Sequence, residues 1–225
     1  MQLFSSSIGR KIVMAITGQC MVLFAIIHLL GNSTIFGWLN GGLNAYAHHL
    51  HSLPMPIIWG FRLGLLALAC IHIWFGIQLT IENRACRSQQ YAVKNTQKAT
   101  FASETMIWTG ALLLIFIIYH LLHFTFQVIN PETGALTNPD ALGNPNVLAM
   151  VVVAFQNVGI ALLYVASMVV LFLHLSHGIQ SSFQSMGWSN DRTQPGLIKG
   201  GTLAALFMFL GYVAVPLTIL VRILK

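Results

Sequence analysis

The sequence predicts an all-α membrane protein with five transmembrane helices, and three observations lead to that fold class. Of the 225 residues, 56% are hydrophobic and 7% are charged. The mean hydropathy is +0.75, a value typical of integral membrane proteins. Five stretches also reach the length of about 20 mostly apolar residues that a helix needs to cross a bilayer. We therefore expect a single transmembrane domain over residues 1–225.

The first two predicted helices are helix I (residues 12–30) and helix II (residues 57–81). Helix I follows Arg10 and Lys11, as the apolar core of a signal peptide would. Its apolar run is too long for such a core, however, and it ends in no A-x-A-like cleavage site but only in the weaker candidate Gly31-Asn32-Ser33-Thr34, so we expect it to be retained. Pro54 and Pro56 close the loop before helix II, because proline marks loops and helix starts.

The remaining predicted helices are helix III (residues 104–129), helix IV (residues 147–180) and helix V (residues 197–224). Ser103 followed by Glu104 is typical of a helix N-terminus, where an acid in the first turn is favourable. Several prolines and glycines mark the loop before helix IV. Pro216 lies within helix V and is expected to kink it, which membrane helices tolerate.

The basic residues predict the orientation of the chain in the membrane. If the helices alternate, most basic residues beyond the spans or near their ends fall on one side, namely Arg10, Lys11, Arg84, Arg87, Lys94, Lys98, Arg192 and Lys199. The positive-inside rule makes that side cytoplasmic. We expect a multi-pass protein of a bacterial cytoplasmic (inner) membrane, with its N-terminus in the cytoplasm and its C-terminus outside. The net charge of +6 reflects this bias and does not indicate nucleic acid binding, because the cations form no basic stripe.

The cysteines, Cys20, Cys70 and Cys86, exclude two kinds of site. An iron–sulfur cluster needs about four thiolates, and these three are dispersed, so neither a cluster nor a disulfide framework is expected. We expect them to be small buried apolar residues.

The most informative residues are four histidines that occur one each in helices I to IV: His28, His72, His120 and His174. An ionisable ring in hydrocarbon costs free energy unless it has a partner, so such residues indicate a functional site. At about 1.5 Å per residue, His28 and His120 lie at one depth near the outer face, whereas His72 and His174 lie in the inner half. The sequence therefore predicts two pairs of imidazoles.

Two imidazoles from facing helices at one depth provide the axial ligands of a bis-histidine b-type haem. We therefore predict two b-type haems within a four-helix bundle of helices I to IV, with helix V, which has no histidine, packed outside. His123 and His177 lie three residues beyond His120 and His174, so they share the same approximate face and are the rival ligands. Hydrogen bonding between helices is the alternative role for any one of these histidines.

An internal repeat supports the pairing of the helices. It consists of Thr17-Gly18 with His28, Thr109-Gly110 with His120, His72 with Gly76, and His174 with Gly178. Eleven residues make about three helical turns, so each threonine shares the face of its histidine about 16 Å further inward. There its hydroxyl could meet a propionate of the inner haem. The glycines are expected to admit the macrocycle or a close contact between helices, although small residues are ordinary at such contacts.

Four motifs in order give the chain a family resemblance: T-G-x9-H-L-L-G-N at Thr17 to Asn32, H-x3-G-x5-E-N-R at His72 to Arg84, T-G-x9-H at Thr109 to His120, and H-L-S-H-G-I-Q-S-S-F-Q-S-M-G at His174 to Gly187. With these motifs, over nearly its whole length, the chain resembles the five-helix, two-haem cytochrome b membrane anchor of succinate dehydrogenase and fumarate reductase. The resemblance implies that His28 and His120 ligate the haem distal from the catalytic subunits. It assigns His72 and His174 to the proximal haem.

The resemblance also implies partners. In such succinate:quinone oxidoreductases a flavoprotein subunit with FAD interconverts succinate and fumarate, and an iron–sulfur subunit relays electrons. The anchor exchanges those electrons through its haems with a membrane quinone, usually menaquinone. This chain has no G-x-G-x-x-G motif and no thiolate cluster, so it needs those partner subunits on its cytoplasmic loops as well as membrane lipid. The resemblance does not specify whether succinate is oxidised or fumarate is reduced. It also leaves open whether two heterotrimeric complexes form a dimer.

A quinone site needs a titratable group near the outer haem and the membrane surface. The candidates are His49, His51, Trp59 and Arg62. Arg62 lies ten residues before His72, about 15 Å toward the outer face, where its cation suits a distal propionate or a quinone oxygen. Anchoring at the membrane interface is the alternative role of Arg62 and Trp59, and a solvated loop cluster is that of the histidines.

One position departs from the family pattern, and two other functions compete. Some relatives carry a glutamate two residues before the helix IV ligand, where this chain has Phe172, which puts the proton route assigned to that acid in question. The chain could instead be the dihaem cytochrome b subunit of a hydrogenase or formate dehydrogenase. It could also be a metal or proton transporter that uses its histidines, but helices I and IV contain no carboxylate.

Overall fold

The computed structural model describes residues 4, 6–86, 99–131, 134 and 145–224. Within these residues the helices are α1 (Ser7–Ser33), α2 (Gly42–His51), α3 (Met55–Ala85), α4 (Phe101–Glu104), α5 (Met106–His120), α6 (Val147–Gln156), α7 (Val158–Ser185) and α8 (Gln194–Leu220). A 3₁₀ turn at Thr34–Phe36 follows α1. In the described part of the chain, five helical segments, built on α1, α3, α5, α7 and α8, are long and apolar enough to cross a membrane. The predicted fold class is therefore confirmed. Arg87, Lys94 and Lys98, which helped to predict the orientation, lie outside the described residues.

The prediction of one continuous helix over residues 147–180 is wrong, because the chain forms α6 and α7 on either side of Asn157. This residue leaves the helical conformation, with φ −78° and ψ 115°. Its side-chain oxygen accepts hydrogen bonds from the N–H groups of Gly159 at 2.9 Å and Ile160 at 3.2 Å. An asparagine that caps the next helix in this way competes with the continuous helix. Average hydropathy cannot detect a break that depends on one side chain.

Helix III also differs from a uniform helix at both ends. At its start, the Thr100 hydroxyl caps the short helix α4 by accepting from the N–H of Ser103 at 3.2 Å. At its other end, the π-helical turn Leu121–Thr125 follows α5, and the N–H of Phe126 donates to the carbonyl of Leu121 at 2.8 Å. A π turn adds one residue to a helical turn and occurs frequently at functional sites.

The chain divides into two compact units. The first unit contains the described residues of Met1–Phe24, Arg62–Ala111 and Phe172–Leu206. Polar contacts join its helices. Arg10 Nη2 forms an ion pair with Glu82 Oε2 at 2.8 Å, and the side-chain amide of Gln19 donates to the hydroxyl of Ser182. These contacts connect α1 to α3 and to α7.

The second unit contains the described residues of Ala25–Phe61, Leu112–Leu171 and Phe207–Lys225. Its core consists of buried side chains from several helices: Ile35, Leu43, Val151, Val152, Phe155, Ala161, Tyr164, Val215 and Ile219. The side chain of Asn44 joins α2 to the start of α6. Its Nδ2 donates to Asn146 Oδ1 at 3.0 Å, and its Oδ1 accepts from the backbone N–H of Leu148 at 2.8 Å. Gly31 is needed where α2 packs on α1, because a Cβ there would overlap the ring of Tyr46.

Helix V, observed as α8, packs on α1 in the second unit. A Cβ at Gly211 would lie 2.9 Å from Leu29 Cδ2, so glycine permits the close approach. The hydroxyl of Tyr212 donates to the carbonyl of Ala25 at 2.6 Å. Pro216, where we predicted a kink, lies inside α8. Helix α8 has no histidine, but it contributes the polar aromatic side chain of Tyr212 beside α1.

The cysteines are not buried as we expected. Cys20, Cys70 and Cys86 are free thiols and all three are exposed at the surface of the chain. A helix face that meets lipid is as apolar as one that meets the protein interior, so the residue type alone does not distinguish the two.

Candidate functional site

In the first unit, hydrogen bonds fix the tautomer of His72. Its Nδ1 lies 3.0 Å from the carbonyl oxygen of Met14 and 3.4 Å from the hydroxyl of Thr17. A carbonyl oxygen only accepts, so Nδ1 carries the proton and donates it. The Thr17 hydroxyl donates to the carbonyl of Val13 at 2.9 Å, which leaves its oxygen to accept from the imidazole. The lone pair of the neutral ring is therefore on Nε2, the nitrogen available to a metal.

His174 is held in the same way by α5. Its Nδ1 lies 3.1 Å from the hydroxyl of Thr109, which itself donates to the carbonyl of Met106 at 3.0 Å. The hydroxyl oxygen thus accepts the Nδ1 proton, and again Nε2 carries the lone pair. The imidazoles of His72 and His174 lie within electrostatic range of each other. In the first unit, therefore, two imidazoles direct Nδ1 to an oxygen atom of another helix, and in both a threonine of the repeat lies near that nitrogen.

The glycines of the Thr-Gly repeat lie against the same two rings. A Cβ at Gly18 would lie 3.0 Å from Cε1 of His72, and a Cβ at Gly110 would lie 3.5 Å from Cε1 of His174. Each Thr-Gly pair thus supports the histidine of another helix. The threonine hydroxyls contact the imidazoles, and their contact with a propionate stays a prediction. No described atom lies within 4 Å of a Cβ placed at Gly76. A Cβ placed at Gly178 would lie 4.0 Å from Met106 Cε, so both positions have space for a side chain.

The second unit brings His28 and His120 together. Their ring centroids are 6.0 Å apart and their planes make an angle of 85°. Two bonds of about 2 Å between a metal and imidazole nitrogens, with the ring radius added on either side, span about this distance. The Nδ1 of His120 lies 3.4 Å from the hydroxyl of Tyr164. The ring of Tyr212 lies 6.3 Å from that of His28, so α8 borders the pair.

The two rival histidines have other surroundings. His123 is 3% exposed, stacks on Phe124 with ring centroids 4.2 Å apart, and its Nδ1 lies 3.1 Å from the hydroxyl of Tyr164. The Nδ1 of His177 lies 3.4 Å from the side-chain amide of Gln180. His177 and Gln180 line a polar cavity of about 160 Å³, together with Thr100, Ser103, Gln184, Ser189, Gln194, Leu197 and Ile198. Of His120 and His123, His120 is the one whose ring lies 6.0 Å from that of His28.

Sequence reasoning missed Tyr164 and Tyr212. Both lie inside apolar helices, are largely buried, and direct their hydroxyls to polar groups of other helices. Buried tyrosines usually find a hydrogen-bond partner, so a tyrosine within a predicted span was an available signal. The Met14 carbonyl that fixes His72 had no such signal, because every residue has a carbonyl group.

The predicted quinone residues lie at the surface of the chain. His49 and His51 are exposed near the end of α2, and Trp59 and Arg62 are exposed on α3. Their role in quinone binding stays a prediction. Among the described residues there is no group of three or more His, Cys, Asp or Glu side chains that could hold a metal ion. A bis-histidine haem needs only two protein ligands, because the porphyrin supplies the others.

Comparison with known proteins identifies a family. The family model of the succinate dehydrogenase/fumarate reductase transmembrane subunit matches residues 82–215, which is more than half of the chain. The match includes α5 and α7, with His120 and His174. No curated protein and no solved structure gives a significant match.

Proposed function

Because the chain belongs to the family of succinate dehydrogenase/fumarate reductase transmembrane subunits, we propose that it is the dihaem cytochrome b anchor of a succinate:quinone oxidoreductase. It carries electrons between a membrane quinone, menaquinone in this proposal, and the iron–sulfur and flavoprotein subunits. Succinate and fumarate react at the FAD of the flavoprotein, and this chain is the quinone-reactive membrane subunit. Its membrane is the bacterial inner membrane.

The matched support of His72 and His174 carries the proposal. Each imidazole donates its Nδ1 proton to a fixed oxygen of another helix, at 3.0 Å for Met14 and 3.1 Å for Thr109. A histidine that binds a metal through one nitrogen nearly always donates its other N–H to such a group, which orients the ring and raises its basicity. Helix-to-helix hydrogen bonding alone would not explain why a threonine of the repeat lies near Nδ1 of a histidine in both halves.

The residues fit two haems. His72 and His174 would hold the proximal haem, and His28 and His120 the distal one. When bound, each haem supplies a reversible one-electron Fe(III)/Fe(II) couple. Thr17, Gly18, Thr109 and Gly110 position the proximal ligands, and the open positions Gly76 and Gly178 leave room beside them. Arg62 would serve a distal propionate or the quinone, with His49, His51 and Trp59 at the quinone site.

Counting haem in the intact complex tests the proposal. The complex is extracted in detergent, and haem b is quantified per copy of this chain by its pyridine haemochrome spectrum. We expect two haems in the unchanged protein and one in each of His28→Ala, His72→Ala, His120→Ala and His174→Ala. The variants at His28 and His120 should lose the same spectral component, and those at His72 and His174 the other.

The rival histidines provide matched controls. His123→Ala and His177→Ala should keep two haems, because neither side chain is assigned to iron. Loss of a haem in either control, with retention in the variant of its neighbour, would assign the ligand to the rival. A complex without haem would refute the proposal. Co-purified subunits without FAD would instead favour a hydrogenase or formate dehydrogenase.

A further inference from the structure

Three polar groups of the second unit, two of them buried, form one hydrogen-bonded triad: His120, Tyr164 and His123. The hydroxyl of Tyr164 lies 3.4 Å from Nδ1 of His120 and 3.1 Å from Nδ1 of His123. Tyr164 is 6% exposed and His123 is 3% exposed. Bulk water therefore has little access to the hydroxyl or to the ring of His123, and their hydrogen bonds are with each other and with His120.

The order of the protons in this triad follows from the role of His120. If Nε2 of His120 binds iron, its Nδ1 must carry the proton, and the Tyr164 oxygen accepts it. The Tyr164 hydroxyl then has its own proton to donate, and Nδ1 of His123 is the acceptor in reach. In this order the second nitrogen of His123 carries an N–H group. That nitrogen, Nε2, is buried and has no partner among the described residues.

The reverse direction of the hydrogen bond between Tyr164 and His123 is less favourable. If Nδ1 of His123 donated to Tyr164, the tyrosine oxygen would accept from both histidines and its own O–H would lack an acceptor. The Nε2 of His123 would be unpaired as well, so two buried polar groups would be unsatisfied instead of one. Each such group costs about 1–3 kcal/mol. The chain of donors therefore runs from His120 through Tyr164 to His123.

We propose that Tyr164 and His123 are positioning residues for the distal haem: Tyr164 holds the ring of His120, and His123 holds the hydroxyl of Tyr164. The inference rests on the proposed function, in which His120 is an axial ligand. The π turn Leu121–Thr125 contains His123, and the stacking of His123 on Phe124 fixes its ring. The role of Tyr164 corresponds to that of Thr109 at His174, with a phenol in place of a threonine hydroxyl.

The expected consequence is a change of redox potential. An acceptor on Nδ1–H makes an imidazole a more basic ligand, which favours ferric iron. Tyr164→Phe removes the acceptor and leaves the ring, so the distal midpoint potential should become more positive. A tenfold change in the preference for ferric over ferrous iron corresponds to about 59 mV for one electron, and we expect a shift up to that size. His123→Leu should give a smaller shift of the same sign.

The experiment is a redox titration of the purified complex, followed by haem absorbance, after haem has been counted. The distal component is identified as the one that His120→Ala removes. Tyr119→Phe is the matched control, since it removes a hydroxyl from the same aromatic cluster outside the triad. Selective loss of the distal haem in Tyr164→Phe, with the proximal haem retained, would also support the positioning role.

Several outcomes would overturn the inference. They are an unchanged distal potential in Tyr164→Phe, an equal shift of both haems, loss of both haems, or an equal shift in Tyr119→Phe. Failure of the proposed function is seen separately and earlier, as a complex that contains no haem or a His120→Ala variant that keeps both.

Discussion

Replacing Gly18 with alanine tests whether the close approach of α1 sets the position of His72. An alanine Cβ would lie 3.0 Å from Cε1 and 3.3 Å from Nδ1 of that ring. Non-bonded carbon atoms pack best at about 3.5–4.0 Å, so the ring must move away from α1 by about 0.5 Å. The movement stretches the hydrogen bond to the Met14 carbonyl, now 3.0 Å, and takes the Thr17 hydroxyl, now 3.4 Å away, out of range.

The size of the effect follows from the hydrogen bond that is weakened. A hydrogen bond contributes about 0.5–1.5 kcal/mol net, which corresponds to a roughly two- to tenfold weaker binding of the proximal haem. Alanine is itself more favourable than glycine within a helix, by about 1 kcal/mol, so the helix should not be destabilised. The loss should therefore appear in haem binding and not in the folding of the protein.

Gly110→Ala is the matched control, because it makes the same change at the equivalent position of the repeat. Its Cβ would lie 3.5 Å from Cε1 of His174, an ordinary van der Waals contact that requires no movement. Haem content and the temperature of haem loss, followed by Soret absorbance, measure the effect in both variants. Unaltered haem retention in Gly18→Ala, or an equal weakening in Gly110→Ala, would refute the reasoning.

Three more substitutions test individual contacts. Thr109→Val removes the 3.1 Å hydrogen bond to His174, so the proximal haem should bind roughly two- to tenfold more weakly; haem counts that stay at two under dilution would contradict this. Tyr212→Phe removes the 2.6 Å bond to the carbonyl of Ala25, and thermal unfolding in detergent should show a loss of about 1 kcal/mol, whereas an unchanged transition would mean that the bond does not stabilise the fold. Asn157→Ala removes the cap of α7 and should also cost about 1 kcal/mol; equal or greater thermal stability would argue against the cap.

Part of the candidate site could be predicted from residue spacing. Helix rise alone placed His28 and His120 at one depth, and the structure brings their rings to 6.0 Å. The repeat indicated that Thr17 and Thr109 belong near the other pair of histidines, where they lie. Spacing works here because a helix fixes both the rise and the face of each residue.

Other features depended on contacts that spacing does not contain. The contact of the threonine hydroxyls with the imidazoles was not expected, whereas their contact with a propionate stays a prediction. The break at Asn157 depends on a side chain that accepts hydrogen bonds from the backbone N–H groups two and three residues further on. The aromatic neighbours Tyr164 and Tyr212 depend on which faces of two helices meet. Such contacts require interatomic distances that are correct to a few tenths of an ångström, and residue type alone does not specify them.

The number and composition of the transmembrane helices were thus encoded locally, as was the presence of histidine in four of them. The cost of placing polar groups in hydrocarbon is summed over about 20 residues, so it can be evaluated along the chain without knowing what each helix touches. The tautomers of His72 and His174, the tight fit of Gly18 and the triad around Tyr164 arise only when helices pack. They depend on hydrogen-bond and van der Waals distances between residues remote in sequence, and these distances exist only in the folded protein.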